Sequence, residues 1–153
     1  MWNEAETGVT GALYHIKQLE QAWGQILASK IYCKAISYLT DIVLSVLIEQ
    51  VLKAPDISEA ACAFVNSLFA NILTSAGQCF HEGEIEAKAS CKHWNKFFAI
   101  GKFMNLSLSD ISQGLANGLF RSLTGPELSM LIRATFAESD KRESLLLALS
   151  SSD

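Results

Sequence analysis

The chain has 153 residues, half of them hydrophobic, and a formal net charge of −4 at pH 7. A chain of this length can bury about 70% of its unfolded surface as one domain. The dispersed negative charge argues against general affinity for nucleic acid, which needs a basic surface. The first residues are acidic and lack the apolar stretch of a signal peptide. Four cysteines without the spacing of a disulfide framework indicate a reduced, cytoplasmic protein.

Two prolines and no alternation of β-branched residues indicate an all-α fold, which we expect to be a multi-helix antiparallel bundle. Residues 1–8 are expected to be frayed, and the first helix is predicted from about Thr10 to Leu27. A single domain is expected over residues 9–149, followed by a disordered tail at 150–153. Ser29 is a candidate cap for the next helix, but one long kinked helix through this point also fits the sequence.

The most apolar stretch is residues 30–53, which helical spacing leaves with one narrow polar stripe. A helix that is apolar around most of its circumference must be covered on several sides, so we place it at the centre of the bundle. The stretch is long enough to span a membrane, but Asp41 would lie near the middle at a cost of ~3 kcal/mol. We therefore interpret it as a core helix. Its apolar positions, which we expect to be covered on several sides, include Ile36, Leu39, Ile42, Val43, Val46, Leu47, Val51 and Leu52. Its polar stripe comprises Lys34, Ser37, Asp41, Ser45, Glu49 and Lys53.

Pro55 ends the central helix, because the residue before proline avoids the helical region. Asp56 and Glu59 then match a capping box that begins a third helix. The acidic stretch 77–90 is expected to be an exposed connection, and whether part of it is helical is left open. An aromatic helix follows over about Cys91–Asn105, with Trp94, Phe97, Phe98, Phe103 and several lysines.

Two further capping boxes are predicted near the C-terminus, Ser107 with Asp110 and Thr124 with Glu127. Gly118 suits the left-handed turn that ends the helix between them. In the following helix, the buried face is predicted to comprise Leu128, Leu131, Ile132 and Phe136. Ser139 or Asp140 is expected to cap a last short helix.

The arrangement most like a metal site is Cys79-x-His81 followed by Cys91-x-His93. Two thiols and two imidazoles are a ligand set suited to zinc, although C-x-H is not the usual spacing. A small zinc-binding helical module is therefore the alternative to an interaction domain. Nucleophilic, Walker-type and zinc-protease motifs are absent from the sequence, so an enzyme is not expected.

Residues 92–102 mix aromatic residues with Lys92, Lys96 and Lys102. We expect the aromatic residues in the core and the lysines in solvent. A docking surface for another protein is a second interpretation, because aromatic residues concentrate at interface hot spots. A peripheral membrane binder that uses this patch on anionic lipid is a third.

Two groups of motifs resemble the C-terminal domain of the zeste-white-ten family of kinetochore and vesicle-tethering proteins. The first is WGQIL followed by IYCKA within Trp23–Ala35, with Asp56-Ile57-Ser58 at a fitting distance. The second comprises Trp94, Phe97, Ala116-Asn117-Gly118, the segment ELSMLIRATF ending at Phe136, and Lys141-Arg142. Leu115 stands where the family has a tryptophan, and Glu82–Lys88 has no matching motif, which indicates a diverged member.

This resemblance implies the last helical bundle of a long tethering-complex-like rod and a non-enzymatic docking function without a cofactor. The implied partners are large solenoid proteins: Rod, with Zwilch, at kinetochores for dynein recruitment and the spindle checkpoint, and a NAG-type protein, with a RINT-type protein, at the endoplasmic reticulum for Golgi-to-ER transport. Neither nucleic acid binding nor membrane insertion is expected. From their charge we predict that the partner-binding residues are Lys96, Lys102, Arg121, Lys141 and Arg142.

Overall fold

The computed structural model describes residues 2–151, and within that range the chain is helical without strands. The predicted all-α bundle is therefore confirmed. The helices are α1 (Trp2–Trp23), α2 (Ser29–Lys53), α3 (Glu59–Gly77), α4 (Glu84–Ser90), α5 (Trp94–Phe103), α6 (Leu108–Ala116), α7 (Gly125–Thr135) and α8 (Asp140–Ser150).

Helix α2 lies at the centre of the bundle and contacts α1, α4, α5 and α7. Ile36 and Leu44 on this helix are completely buried, so α2 contributes to the core as predicted. By length and composition, α2 and α3 could each cross a membrane, but the buried sides of both helices form the middle of the core. Burial of this kind accounts for part of their apolar composition.

Both ends of α1 differ from the prediction. The helix begins at Trp2, so residues 2–8 are helical and the expected fraying is wrong for them, whereas Met1 lies outside the described residues. Helix-forming residues and the acidic Glu4 in the first turn favour this early start. The helix ends at Trp23, and residues 24–28 separate it from α2, so the chain does not form one long helix here. Ser29 makes no capping bond, since Ala28 occupies the capping position.

The start of α3 also differs from the prediction, because its cap is Ser58 and not Asp56. The Ser58 hydroxyl accepts the backbone N–H of Ala61 at 3.3 Å. The reason is tertiary: Ile57 is buried, and its N–H donates to the carbonyl of Ala134 on α7 at 2.8 Å. This contact fixes residue 57 in an extended link, so the helix begins two residues later than Asp56 would allow.

The C-terminal half follows the predicted local signals. Both capping boxes form, Ser107 with Asp110 and Thr124 with Glu127. Gly118 has a φ of 74°, and the N–H of the next residue returns to the carbonyl of Gly114, which completes a Schellman motif. The last helix is capped by Ser139 and includes Ser150. Residues 152–153 of the predicted tail lie outside the described part of the chain. The predicted domain limits stay a prediction.

Aromatic side chains join α3, α5 and α7 in the core. The rings of Phe69 and Phe97 stack with their centroids 3.8 Å apart, and Trp94 on α5 is almost completely buried. Leu131 and Ile132 are buried as predicted, but Phe136 is only half-buried at the end of α7. The ring of Phe136 meets Phe103 edge-on at 6.2 Å, so it lies at the margin of the core.

Candidate interaction surface

The four residues of the zinc alternative do not form a site. The Cys79 and Cys91 thiols are buried and point to the backbone carbonyls of Ser75 and Ser37. The ring of His81 packs on Tyr32 at 5.0 Å. In the part of the chain that the structure describes, no group of three or more histidine, cysteine or acidic side chains is placed to hold a metal ion. The zinc-binding alternative is therefore wrong.

The electrostatics of the two buried thiols lead to the same conclusion. Burial, reinforced by the nearby Asp41 carboxylate, raises the pKa of the Cys91 thiol to about 12. Burial followed by the charge of Glu20 also raises the pKa of the Cys79 thiol. Zinc ligation and nucleophilic catalysis both need the thiolate, which these surroundings disfavour. Both cysteines serve as small core residues.

His93 has a structural role at the start of α5. The Asp41 carboxylate accepts the backbone N–H of His93 at 2.8 Å, and its second oxygen lies 2.9 Å from Nδ1 of the same ring. The carboxylate therefore satisfies a backbone donor at the N-terminus of α5, where negative charge is favourable. Asp41 links the middle of α2 to the α4–α5 junction.

Two of the five basic residues predicted to bind a partner are used inside the domain. The Lys96 ammonium on α5 donates to both carboxylate oxygens of Glu127 on α7, at 2.8 and 3.0 Å. The Arg142 guanidinium donates to the Phe136 carbonyl at 2.8 Å, and its side chain is only 12% exposed. Both cations stabilise the α5–α7–α8 region of the fold, which leaves them little freedom to meet a partner.

The other three predicted residues, Lys102, Arg121 and Lys141, are exposed. The Lys102 ammonium lies 5.4 Å from the centre of the Phe98 ring, and Lys141 donates to the hydroxyl of Ser109 on α6. Phe98 is the exposed member of the lysine and aromatic patch, because Trp94, Phe97 and Phe103 are buried in the core. The aromatic residues thus behave mainly as predicted for core residues.

The surface that sequence patterns missed lies on α2. Four large apolar side chains stand in solvent on this helix: Ile31 is 59% exposed, Tyr38 69%, Ile42 45% and Val46 49%. Their spacing of seven, four and four residues places them in one line along a helix. We call this line the α2 apolar face. The prediction that Ile42 and Val46 are covered is wrong.

The reason is that part of the polar stripe of α2 points inward. Ser37 is buried and its carbonyl accepts the Cys91 thiol, while Asp41 bonds to His93. The α4–α5 junction therefore packs on polar positions of α2. The apolar residues on the neighbouring side of the helix are left in solvent.

A groove of about 600 Å³ runs beside the α2 apolar face. Ile31 and Tyr38 line it together with Lys34 and Lys92, and an adjoining groove adds Lys30. All three lysines are exposed. The carboxylates lining the two grooves are Asp41, which bonds to His93, and Glu86, which accepts the backbone N–H of Glu82. This surface combines exposed apolar groups with three lysines and two carboxylates, so its net charge is positive.

Comparison with known proteins identifies relatives of the chain. A family model described as the ZW10 C-terminal helical domain matches residues 7–149. Two curated relatives carry the name centromere/kinetochore protein zw10 homolog: one from Rattus norvegicus is 25% identical and one from Mus musculus is 23% identical. Each alignment covers 95% of this chain and 20% of the relative, so the chain spans about a fifth of the length of these proteins.

Proposed function

Because the chain belongs to the family of ZW10 C-terminal helical domains, we propose that it is a non-enzymatic protein-interaction domain of a kinetochore and vesicle-tethering subunit. The observation that carries this proposal is the family match over residues 7–149, which include nearly the whole described core. The match confirms the resemblance that the WGQIL, IYCKA and LIRATF motifs indicate. The names of the rat and mouse relatives supply the association with the kinetochore.

The partner that we propose is a large helical solenoid protein. In mitosis this is a Rod-like protein at the kinetochore and spindle, together with Zwilch, and it serves dynein recruitment and the spindle checkpoint. In interphase it is a NAG-like protein, with a RINT-type protein, at the endoplasmic reticulum, and it serves Golgi-to-ER transport. The protein itself is proposed to be cytoplasmic and peripheral at that membrane.

A closely packed bundle suits this function physically. The described residues form one continuous hydrophobic core that joins all eight helices. The backbone that carries the surface side chains is already ordered before a partner arrives, so binding costs little additional backbone entropy. Exposed cations such as Lys102 and Lys141 can accelerate encounter with an acidic partner surface.

The test is affinity capture with this chain as bait, from interphase and from mitotic extract, read by mass spectrometry. We expect recovery of a Rod-like solenoid protein in mitosis and of a NAG-like one in interphase. Recovering neither in either state would contradict the proposal. Docking would then lie elsewhere in the longer protein, and this domain would be a structural cap.

A charge-reversal variant tests the predicted basic residues within the same experiment. Lys102→Glu combined with Lys141→Glu changes two exposed cations, and we expect weaker recovery of the solenoid partner. The control reverses Lys17 and Lys88, which are exposed lysines on α1 and α4. Equal recovery by both variants would show that Lys102 and Lys141 do not contribute.

A further inference from the structure

We propose that the α2 apolar face and its groove bind an amphipathic helix of a partner protein, with the carboxylates of that helix gathered at one end. This inference rests on the proposed docking function and assigns it a surface and a partner chemistry. It differs from the basic residues predicted from the sequence. Helix-in-groove binding is a common way in which proteins recognise an amphipathic segment.

The apolar part of the argument is the line of exposed side chains. Single exposed apolar residues are ordinary on protein surfaces, but Ile31, Tyr38, Ile42 and Val46 follow one helical line over 16 residues. At 1.5 Å per residue the line is about 22 Å long, which suits a partner helix of about four turns. Tyr38 is the most exposed of the four, and tyrosine is enriched among residues that dominate interfaces.

The charged side chains along the α2 apolar face indicate which kind of helix binds there and in which direction it lies. Lys30, Lys34 and Lys92 line the grooves at the N-terminal end of the α2 apolar face. At the other end, Glu49 is paired with Lys53 on the same helix. The face is therefore basic at one end and balanced at the other, in a chain whose net charge is −4. A bound helix would place its aspartates or glutamates against the three lysines and its apolar residues against Ile42 and Val46.

A second copy of this chain fits the face less well. Two α2 faces packed on one another would need carboxylates opposite the lysines. The carboxylates that line the grooves are Asp41 and Glu86, and both already accept hydrogen bonds within the domain. Glu49 is already paired with Lys53. An acidic segment of another protein would therefore match the lysines better than a second α2 face.

The experiment places a photo-crosslinking residue, p-benzoyl-phenylalanine, at position 38 of the chain and at position 147 as the control. Leu147 is also a highly exposed apolar residue, but it lies on α8. After irradiation in interphase and in mitotic extract, the crosslinked peptide is identified by mass spectrometry. We expect position 38 to join to an amphipathic helical segment of another protein in which acidic residues outnumber basic ones, and position 147 not to join to it.

Variants test the two components of the surface. Ile42→Glu should lower the crosslink yield at position 38 at least about tenfold, because it puts a charge in the apolar contact. Lys34→Glu with Lys92→Glu should lower it on the order of tenfold, and more strongly in low salt. Leu147→Glu is the matched control and should leave the yield unchanged. Far-UV circular dichroism and thermal unfolding establish that each variant is folded.

The other outcomes overturn the inference. Crosslinking of position 38 to another copy of the chain assigns the face to self-association, and crosslinking to lipid assigns it to a membrane. Crosslinking of position 38 to a basic or non-helical segment also contradicts the inference. So does a crosslink yield at position 38 that Ile42→Glu leaves unchanged. If wild-type chain and Ile42→Glu capture the solenoid partner equally, this inference fails and the docking function stands. If an acidic helix of some other protein is crosslinked and no solenoid is captured, the docking function fails and the inference stands.

Discussion

Replacing Glu127 should show how much of the stability of the C-terminal half depends on one carboxylate. Glu127 accepts the Thr124 backbone N–H in the capping box of α7, and it also accepts the Lys96 ammonium from α5. The side chains of Lys96 and Glu127 are only 24% and 22% exposed, so solvent screens the pair less than it would at the surface. One side chain thus caps one helix and ties it to another.

The two roles can be separated by two substitutions. Glu127→Gln keeps an acceptor for the cap but removes the charge, and breaking a half-buried pair of this kind should cost about 1–2 kcal/mol. Glu127→Ala also removes the cap, which adds about 1 kcal/mol and gives a total of about 2–3 kcal/mol. For a domain of this size, each kcal/mol lowers Tm by about 2–4 °C.

Urea denaturation of the wild type, both Glu127 variants, Lys96→Met and the double variant Glu127→Gln with Lys96→Met measures these differences at equilibrium. The losses in free energy of unfolding caused by Glu127→Gln and by Lys96→Met should not add up in the double variant, because each substitution alone already removes the same ion pair. Equal stability of Glu127→Gln and the wild type would refute the importance of the ion pair. Equal losses for the Gln and Ala variants would refute the contribution of the cap.

Acid titration gives an independent check. Burial raises the pKa of the Glu127 carboxyl, but hydrogen bonds from Lys96 and from the Thr124 N–H outweigh it and hold the pKa below its ordinary value of 4.5. Because the pKa is lower in the folded state, the stabilisation is complete well above pH 4.5 and is lost as the pH falls through the folded value. Stability of the wild type should therefore fall more steeply below about pH 5 than that of Glu127→Gln.

Three further results are expected. Phe69→Ala removes the ring that stacks on Phe97 and should lower the free energy of unfolding by about 3–5 kcal/mol, measured by urea denaturation; a loss below about 1 kcal/mol would contradict its central place in the core. Ser58→Ala should cost about 1 kcal/mol while Asp56→Ala costs less than half as much, and the reverse order would contradict the cap assigned to α3. Purified chain should contain far less than one zinc per molecule and keep its Tm in a chelator; a stoichiometric metal or a lowered Tm would revive the site that includes Cys91.

Local signals in the sequence were enough to predict the fold class and most C-terminal boundaries. The capping boxes at Ser107 and Thr124 and the glycine at position 118 depend on residues within a few positions of one another. The start of α3 could not be predicted in the same way. It depends on the hydrogen bond from Ile57 to Ala134, two residues far apart in the chain that meet only after folding.

The α2 apolar face escaped prediction for a related reason. Helical periodicity shows that α2 has a polar stripe, but it cannot show which side another element will cover. Asp41 and Ser37 find partners at the α4–α5 junction, which turns part of the polar stripe inward. The sequence likewise predicts Lys96 in solvent, because nothing near it in the chain identifies its partner Glu127, which is 31 residues away. A charged residue can therefore be assigned to a binding surface only after it is known to have no partner within the folded domain.

The most direct test of the docking function is the affinity between purified chain and the purified solenoid partner, measured by isothermal titration calorimetry at physiological salt. We expect one partner per chain and a Kd of about 1 μM or tighter, which corresponds to at least about 8 kcal/mol of binding free energy. The affinity of the doubly charge-reversed Lys102 and Lys141 variant serves as the internal comparison. Absence of binding at concentrations of about 100 μM, with the chain folded by circular dichroism, would contradict the proposed function of this domain.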